Sequence, residues 1–162
     1  MVTKYPILEK GYDLKLLGVC RNAKERGLIA LLTITGMHIS TTGKLTKKNL
    51  VKMGDRTYIE YRRLKNDKPM RFEVPRDRLP DVVTFLEGKK ASRQYYHRIV
   101  KELGTLAGYE DISPMTIRHS VCCEMIARDG ASSIFTVPQR MGCSLDVVIK
   151  NYSQLSDMQR WQ

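Results

Sequence analysis

The spacing of hydrophobic and polar positions changes twice along the chain. From Asp13 to Met37 apolar residues recur at helical intervals, with a break around Arg21–Asn22, and the second piece is so apolar that it predicts a buried central helix. Residues 57–64 (TYIEYRRL) and 70–74 (MRFEV) are instead rich in aromatic and β-branched side chains, and they flank the turn sequence KNDKP. This second pattern predicts an antiparallel hairpin with a basic tip.

Helical spacing returns after the hairpin. The predicted helices cover residues 77–86, 92–108, 113–130, 134–141 and 145–152. Three of them begin at a serine that can cap the helix, Ser92, Ser113 and Ser144, and Thr46 caps a single turn in the short basic segment 41–51. Together these patterns predict a mainly α fold with a small antiparallel β-hairpin or sheet, in the α+β class.

Length and charge narrow the class of partner. A chain of 162 residues with 42% hydrophobic residues is long enough for one domain with a real core. Its 28 Lys and Arg against 17 Asp and Glu give a net charge of +11, which favours a polyanion, nucleic acid before membrane. The alternative is charge that serves only solubility.

The four cysteines give no sign of a metal site. Cys20, Cys122, Cys123 and Cys143 form no CxxC pair, and no histidine stands at zinc-finger spacing, so we expect buried free thiols, no metal and no cofactor. The chain shows no signal peptide, and its longest apolar run, LIALLTITGM, is too short to span a bilayer. We therefore expect an intracellular protein of the cytoplasm, nucleoid or nucleus, neither secreted nor membrane-bound.

The segment 113–130, SPMTIRHSVCCEMIARDG, contains an arginine in an unexpected position. Helical geometry predicts one polar face, formed by Thr116, Ser120, Glu124 and Arg128. The same geometry predicts an apolar face, formed by Met115, Cys122, Met125 and Ile126. Arg118 falls on the apolar face, where it either pairs with a buried carboxylate or lines a cleft and forks onto a phosphate.

Three stretches in this order resemble the catalytic domain of the tyrosine recombinase, or phage integrase, family. They are LLTITGMHIS (31–40), SPMTIRHSVCCEMIARDG (113–130) and MGCSLDVVIKNYSQL (141–155). In that family a buried helix ends in TG-hydrophobic-Arg-hydrophobic-Ser, a later helix opens with S/T-P-His-x-hydrophobic-Arg-His-S/T, and a hydrophobic-Gly-His segment leads to a nucleophilic tyrosine. The resemblance extends from Asp13 to Leu155 and implies a recombinase-like catalytic domain over residues 1–155 without an N-terminal core-binding domain, followed by a polar tail at 156–162.

The resemblance implies a role for each matching residue. The family cleaves DNA by transesterification without metal or cofactor, so Tyr152 would be the nucleophile and Arg118 would contact the scissile phosphate. Lys65, predicted at the hairpin tip, matches the family's catalytic lysine, with Lys68 as the second choice, and the resemblance implies that both contact the substrate. His119 matches the histidine of the family's Arg-His pair and implies a supporting role at the substrate.

The chain departs from the family pattern at three catalytic positions. His38 stands in place of the first arginine, Met115 in place of the first histidine, and Cys143 in place of the second histidine or tryptophan. Thr41 also replaces the acidic residue that usually follows the first arginine. A protonated His38 would recover part of the lost charge, but methionine moves no proton and a thiol hydrogen-bonds only weakly. These departures predict impaired or lost strand cleavage.

Taken singly, the same residues have structural interpretations. His38 at the end of an apolar helix is also typical of a C-cap, and Met115 and Cys143 are typical core side chains. A tyrosine such as Tyr152 is more often structural, and lysines at a hairpin tip such as Lys65 are more often solvated. Only their joint order and spacing favour a site.

Three functions follow from these observations. The first is a DNA-binding, recombinase-like domain, such as a repurposed integrase of a mobile element, that cleaves DNA poorly or not at all. The second is an active atypical recombinase that uses Tyr152 with His38 and a further residue such as His97. The third is a protein-interaction module for an acidic partner. In the first two, double-stranded DNA is the partner, and the tail at 156–162 is a candidate contact between protomers of a homo-oligomer.

Overall fold

The computed structural model of the chain describes residues 7–63 and 67–141. Its helices are α1 Tyr12–Val19, α2 Ala23–Thr35, α3 Ile39–Thr42, α4 Leu79–Glu87, α5 Arg93–Leu106, α6 Pro114–Asp129 and α7 Thr136–Met141, with 3-10 turns at Lys47–Asn49 and Ala131–Ile134. Three antiparallel strands, β1 Leu50–Met53, β2 Arg56–Arg62 and β3 Pro69–Val74, form one sheet. The predicted mainly α fold with a small antiparallel sheet is confirmed. The predicted helix 145–152 and tail 156–162 lie outside the described residues.

Helix α2 is the centre of the core, as its composition predicts. It packs against α1, α4, α6 and β3, and every residue from Gly27 to Leu32 is buried. The Asn22 side chain accepts a hydrogen bond from the Glu25 amide at 2.9 Å, which caps the helix at the predicted break. Gly36 ends the helix with a left-handed φ of 63°, so the helix stops just before Met37.

The sheet contains one strand more than the predicted hairpin. β2 pairs with β3 in the register Ile59↔Phe72, and β1 pairs with the other edge of β2 in the register Leu50↔Ile59. The sequence analysis placed residues 41–51 in a short basic turn and missed β1, because four residues are too few to show an alternating pattern. Ile59 and Phe72 are buried and fix the sheet onto the helical core.

The predicted polar face of α6 is wrong at two of its four positions, whereas Arg128 is exposed as predicted. Thr116 and Ser120 are 2% and 0% exposed, whereas Met115, predicted to lie in the core, is 37% exposed. The Ser120 hydroxyl donates to the Thr116 carbonyl at 2.8 Å and accepts from the Leu8 amide at 3.0 Å, so burial leaves its polar atom satisfied. The chain segment before α1 thereby covers α6 on a side that helical periodicity alone assigns to solvent.

Glu124 makes the stability of this region depend on pH. Burial, and second the nearby Asp13 carboxylate, raise the pKa of Glu124 from its ordinary 4.5 to about 7. The buried Tyr12 hydroxyl is without a hydrogen-bond partner among the described residues, and its pKa is raised first by burial and then by the nearby Glu124 charge. Folding therefore favours the protonated carboxyl of Glu124.

We expect Glu124→Gln to stabilise the protein at pH 8 and to have little effect at pH 4. The raised pKa of Glu124 contributes stability below pH 4.5, and this contribution is lost as the pH rises through about 7. Above that pH the natural protein buries a charged carboxylate, whereas the Gln variant keeps a neutral amide. The expected gain at pH 8 is about 1–2 kcal/mol, since the group is partly solvated. Urea denaturation of both proteins at the two pH values measures it, and an equal difference at both would contradict the assignment.

Within the described residues, no helix is long and apolar enough to cross a membrane. In the same part of the chain, no three histidine, cysteine or acidic side chains come together as potential ligands of a metal ion. Cys122 and Cys123 are buried and Cys20 is half-buried, and none of the three forms a disulfide bond within the described residues. Cys143 lies outside the described residues.

Candidate active site

The Arg118 guanidinium joins the ends of two helices. Its Nη1 donates to the Gly36 carbonyl at 2.5 Å, and its Nη2 donates to the Met141 carbonyl at 2.6 Å. Gly36 is the C-cap of α2 and Met141 is the last described residue of α7, so Arg118 connects the two helices through these carbonyls. The arginine is half-buried at this junction.

Among the described residues, no carboxylate cancels the positive charge of Arg118. Across residues 7–63 and 67–141, no aspartate or glutamate forms an ion pair with it, and its two acceptors are neutral carbonyls. A guanidinium carries more N–H donors than these two bonds use, so donors remain for an anion. Of the two interpretations left open by the sequence, the buried ion pair is therefore excluded for the described residues.

His38 caps the start of a helix instead of the end of one. It is the N-cap of α3, where its Nδ1 accepts from the Ser40 amide at 3.2 Å and contacts the Ser40 hydroxyl. The neutral ring therefore carries its proton on Nε2. The predicted C-cap role is wrong, because Gly36 already ends α2 and the chain turns between the two helices.

The environment of His38 is electropositive. Its pKa is lowered first by burial and then by the positive charges of Arg118 and Arg93. Without a bound anion, the neutral form of the His38 imidazole is therefore favoured over the protonated form more than in an ordinary histidine. An anion placed between these three groups would reverse that effect, because it stabilises the protonated ring.

The base of the hairpin approaches the end of α7. Arg63 Nη1 donates to the Gln139 carbonyl at 2.9 Å, and Lys68 Nζ donates to the same carbonyl at 3.5 Å. Gln139 precedes Met141, whose carbonyl is bound by Arg118. The fold thus brings β2, β3, α6 and α7 to one junction. Lys65 at the hairpin tip lies outside the described residues.

The other predicted residues are distributed as follows. His119 is 6% exposed, and its Nε2 lies 3.9 Å from the Cys123 sulfur one turn later in α6. In this position it packs inside the protein next to Arg118. Its contact with DNA stays a prediction. Met115 places an exposed thioether at the start of α6, where it can neither donate nor accept a proton. Cys143 and Tyr152 lie beyond Met141, outside the described residues.

Two further cations were not predicted from the sequence, Arg63 at this junction and Arg93 near His38. Arg93 is the first residue of α5 and is exposed. A cation in the first helical turn is unfavourable next to the positive end of the helix dipole, so the sequence already marked this position as unusual. Arg63 had no comparable signal, because lysines and arginines are common beside a hairpin turn.

The fold matches that of known site-specific recombinases. XerA recombinase superimposes with a TM-score of 0.71 and 16% identity over 94% of this chain and 66% of that protein. XerH site-specific recombinase bound to difH substrate, in a pre-cleavage complex, gives 0.69 and 16% over 91% of this chain and 50% of XerH. Its post-cleavage complex with palindromic difH gives 0.68 and 16% over 88% and 48%.

This likeness concerns the fold. The chain spans about half to two thirds of the length of these recombinases. No protein-family model and no curated protein matches the sequence.

Proposed function

We propose that this chain is a duplex-DNA-binding domain related to tyrosine recombinases, with strand cleavage impaired or lost. The observation that carries the proposal is the Arg118 guanidinium, held at a helix junction by two neutral carbonyls with its charge uncancelled by any described carboxylate. The shared fold with XerA and XerH and the net charge of +11 support it.

The cations around Arg118 suit the binding of a phosphodiester. Arg118 offers a planar fork of donors that matches two phosphate oxygens. Arg93 and His38 lie near enough for their charges to interact with one another, and Arg63 approaches from the hairpin. Phosphate binding needs only charge and shape, so it survives the loss of catalytic groups.

Strand cleavage needs more than phosphate binding. The Tyr152 hydroxyl would lose its proton to a base as its oxygen attacks phosphorus and forms a 3′-phosphotyrosine bond, while the bond to the 5′ oxygen breaks and that oxygen takes a proton from a general acid. Met115 cannot supply that proton. His38 reaches less far and donates fewer hydrogen bonds than an arginine, and a missing arginine clamp costs about 10³–10⁵ in rate for other phosphoryl transfers.

One observation favours the alternative, an active atypical recombinase that uses Tyr152. Arg118 binds the Met141 carbonyl, and Tyr152 follows only eleven residues later in the sequence. The chain that carries the candidate nucleophile therefore starts at the candidate phosphate site. The two functions differ in one product, a covalent adduct between Tyr152 and DNA. Catalysis by Tyr152 and Lys65, and assembly through the tail at 156–162, stay predictions.

A covalent-trapping assay on nicked duplex suicide substrates drawn from a randomised pool tests the proposal. We expect the natural protein to form no adduct under denaturing conditions, yet to shift duplex DNA in a salt-sensitive manner. The triple variant His38→Arg, Met115→His, Cys143→His should gain an adduct, because it restores the missing charge and proton donors. Adding Tyr152→Phe should abolish that adduct, while adding Tyr95→Phe, a change at an exposed tyrosine, should not.

Each alternative gives a different result in this assay. An adduct with the natural protein that disappears in Tyr152→Phe would establish the active recombinase. If the natural protein formed no adduct and also failed to bind DNA in a salt-sensitive manner, both DNA-binding functions would be wrong. That result would favour the protein-interaction module.

A further inference from the structure

Ion pairs are distributed unevenly over the described surface. Several exposed cations on α1, α5 and the sheet face carboxylates, as in Lys15–Glu9 at 2.7 Å, Arg56–Glu73 at 3.5 Å and Lys101–Asp111 at 3.7 Å. One cluster, here called the lysine surface, differs. It consists of Lys24, Lys44, Lys47, Lys48, Lys89 and Lys90. Within it only Lys47 pairs with a described carboxylate, Glu87 at 2.8 Å.

Three separate segments form the lysine surface. The ion pair of Lys47 with Glu87 ties the 3-10 turn to the end of α4. The Lys24 ammonium, on α2, donates to the Lys89 carbonyl at 2.5 Å. The Lys90 ammonium donates to the Phe85 carbonyl at 2.8 Å and to its neighbour at 3.0 Å, which caps the last turn of α4. These contacts bring together the segments that carry Lys24, Lys47 and Lys90, and Lys44, Lys48 and Lys89 lie within a few residues of them along the chain.

Like charges are close to one another on this surface. The pKa of Lys90 is lowered first by burial and then by the positive charge of Lys24. Lys44, Lys48 and Lys89 are exposed, and none forms an ion pair with a carboxylate in the described ranges. Charges that serve only solubility are normally interspersed with the opposite sign, so this arrangement favours a polyanionic partner.

The lysine surface continues into the candidate active site. Arg93 follows Lys89 and Lys90 along the chain, and its charge acts on His38, which in turn is near Arg118. The Tyr96 hydroxyl accepts from the Ala91 amide at 2.9 Å, which fixes the loop between Lys90 and Arg93. The regularly spaced phosphates of one nucleic-acid backbone could therefore contact both the lysine surface and Arg118.

We propose that the lysine surface binds the phosphate backbone of duplex DNA beside the phosphate held at Arg118. This inference rests on the proposed function and assigns to DNA binding a set of residues outside the catalytic pattern. Each lysine that neutralises a phosphate releases counterions, so the surface makes binding steeply dependent on salt.

The test compares two lysine triples that change the net charge equally. The variant K44Q/K48Q/K89Q removes three exposed lysines of the surface, and K10Q/K15Q/K101Q removes three exposed lysines elsewhere. Affinity for a labelled duplex of random sequence is measured by fluorescence anisotropy from low to high salt. The slope of log K against log salt is negative, and we expect the first triple to reduce its magnitude by about 3. The second triple should leave the slope nearly unchanged.

Thermal unfolding checks that both triples are folded, since exposed lysines contribute little to stability. Equal slopes for the two triples, with the natural protein binding in a salt-dependent manner, would overturn the lysine surface but not the proposed function. If the natural protein showed no salt-dependent binding to the duplex, both the lysine surface and the proposed function would be wrong. If the first triple lost binding to polyglutamate and kept its affinity for the duplex, an acidic protein would be the partner and the inference would be wrong.

Discussion

Arg118→Met is expected to destabilise the domain by about 2–4 kcal/mol. The substitution keeps an unbranched apolar stem but removes both charged donors, so the carbonyls of Gly36 and Met141 lose their partners. Hydrogen bonds to charged groups contribute about 1.5–3 kcal/mol each, and the two contributions are not additive because one side chain makes both. The urea midpoint of unfolding measures the loss.

Two further variants make this result specific. Arg118→Lys keeps the charge but offers one ammonium in place of a fork, so its stability should fall between that of the natural protein and Arg118→Met. Arg76→Met makes the same chemical change at a side chain that is 81% exposed, and it should stay within about 0.5 kcal/mol of the natural protein. A stable Arg118→Met would mean that the two carbonyl contacts contribute little and that Arg118 serves only an anion.

Gly27→Ala is expected to destabilise the domain by about 2–4 kcal/mol through overpacking. A Cβ atom at Gly27 would lie 2.2 Å from the Asp81 carbonyl oxygen and 2.6 Å from the Phe85 Cβ. Both neighbours belong to the body of α4, so no side-chain rotation relieves the clash and the backbones of α2 and α4 must separate. Thermal or urea unfolding measures the change.

Gly18→Ala is the matched control for Gly27→Ala. Gly18 lies inside α1, and a Cβ there would meet no atom within 4 Å. Alanine should therefore stabilise the protein by about 0.5–1 kcal/mol through its higher helix propensity. If Gly27→Ala proved as stable as the natural protein, the close approach of α2 to α4 at Gly27 would be contradicted.

The helix boundaries show how much of this fold was predictable. Asn22 and Ser113 cap α2 and α6 where the sequence placed the caps, with hydrogen bonds to residues three positions on. The two strands of the hairpin were predicted as well, because their alternation spans enough residues to be recognised. β1 was missed, since its four residues become a strand only by pairing with β2.

The candidate site was predictable in part. Position in a motif identified Arg118 and His38, but not what they contact. Gly36 lies 82 residues from Arg118 along the chain and Met141 lies 23 residues from it, so no local pattern reports either contact. The roles of Lys65, Cys143 and Tyr152 stay predictions from the resemblance.

The sequence by itself determined the fold class, the helix caps and the basic character of this protein, because each depends on composition or on hydrogen bonds between residues a few positions apart. Only the tertiary structure decided that Thr116 and Ser120 are buried and that Arg118 binds two helix ends. It also decided which lysines have no described carboxylate beside them. These properties depend on which distant segments pack together, and that is settled by the burial of the whole core.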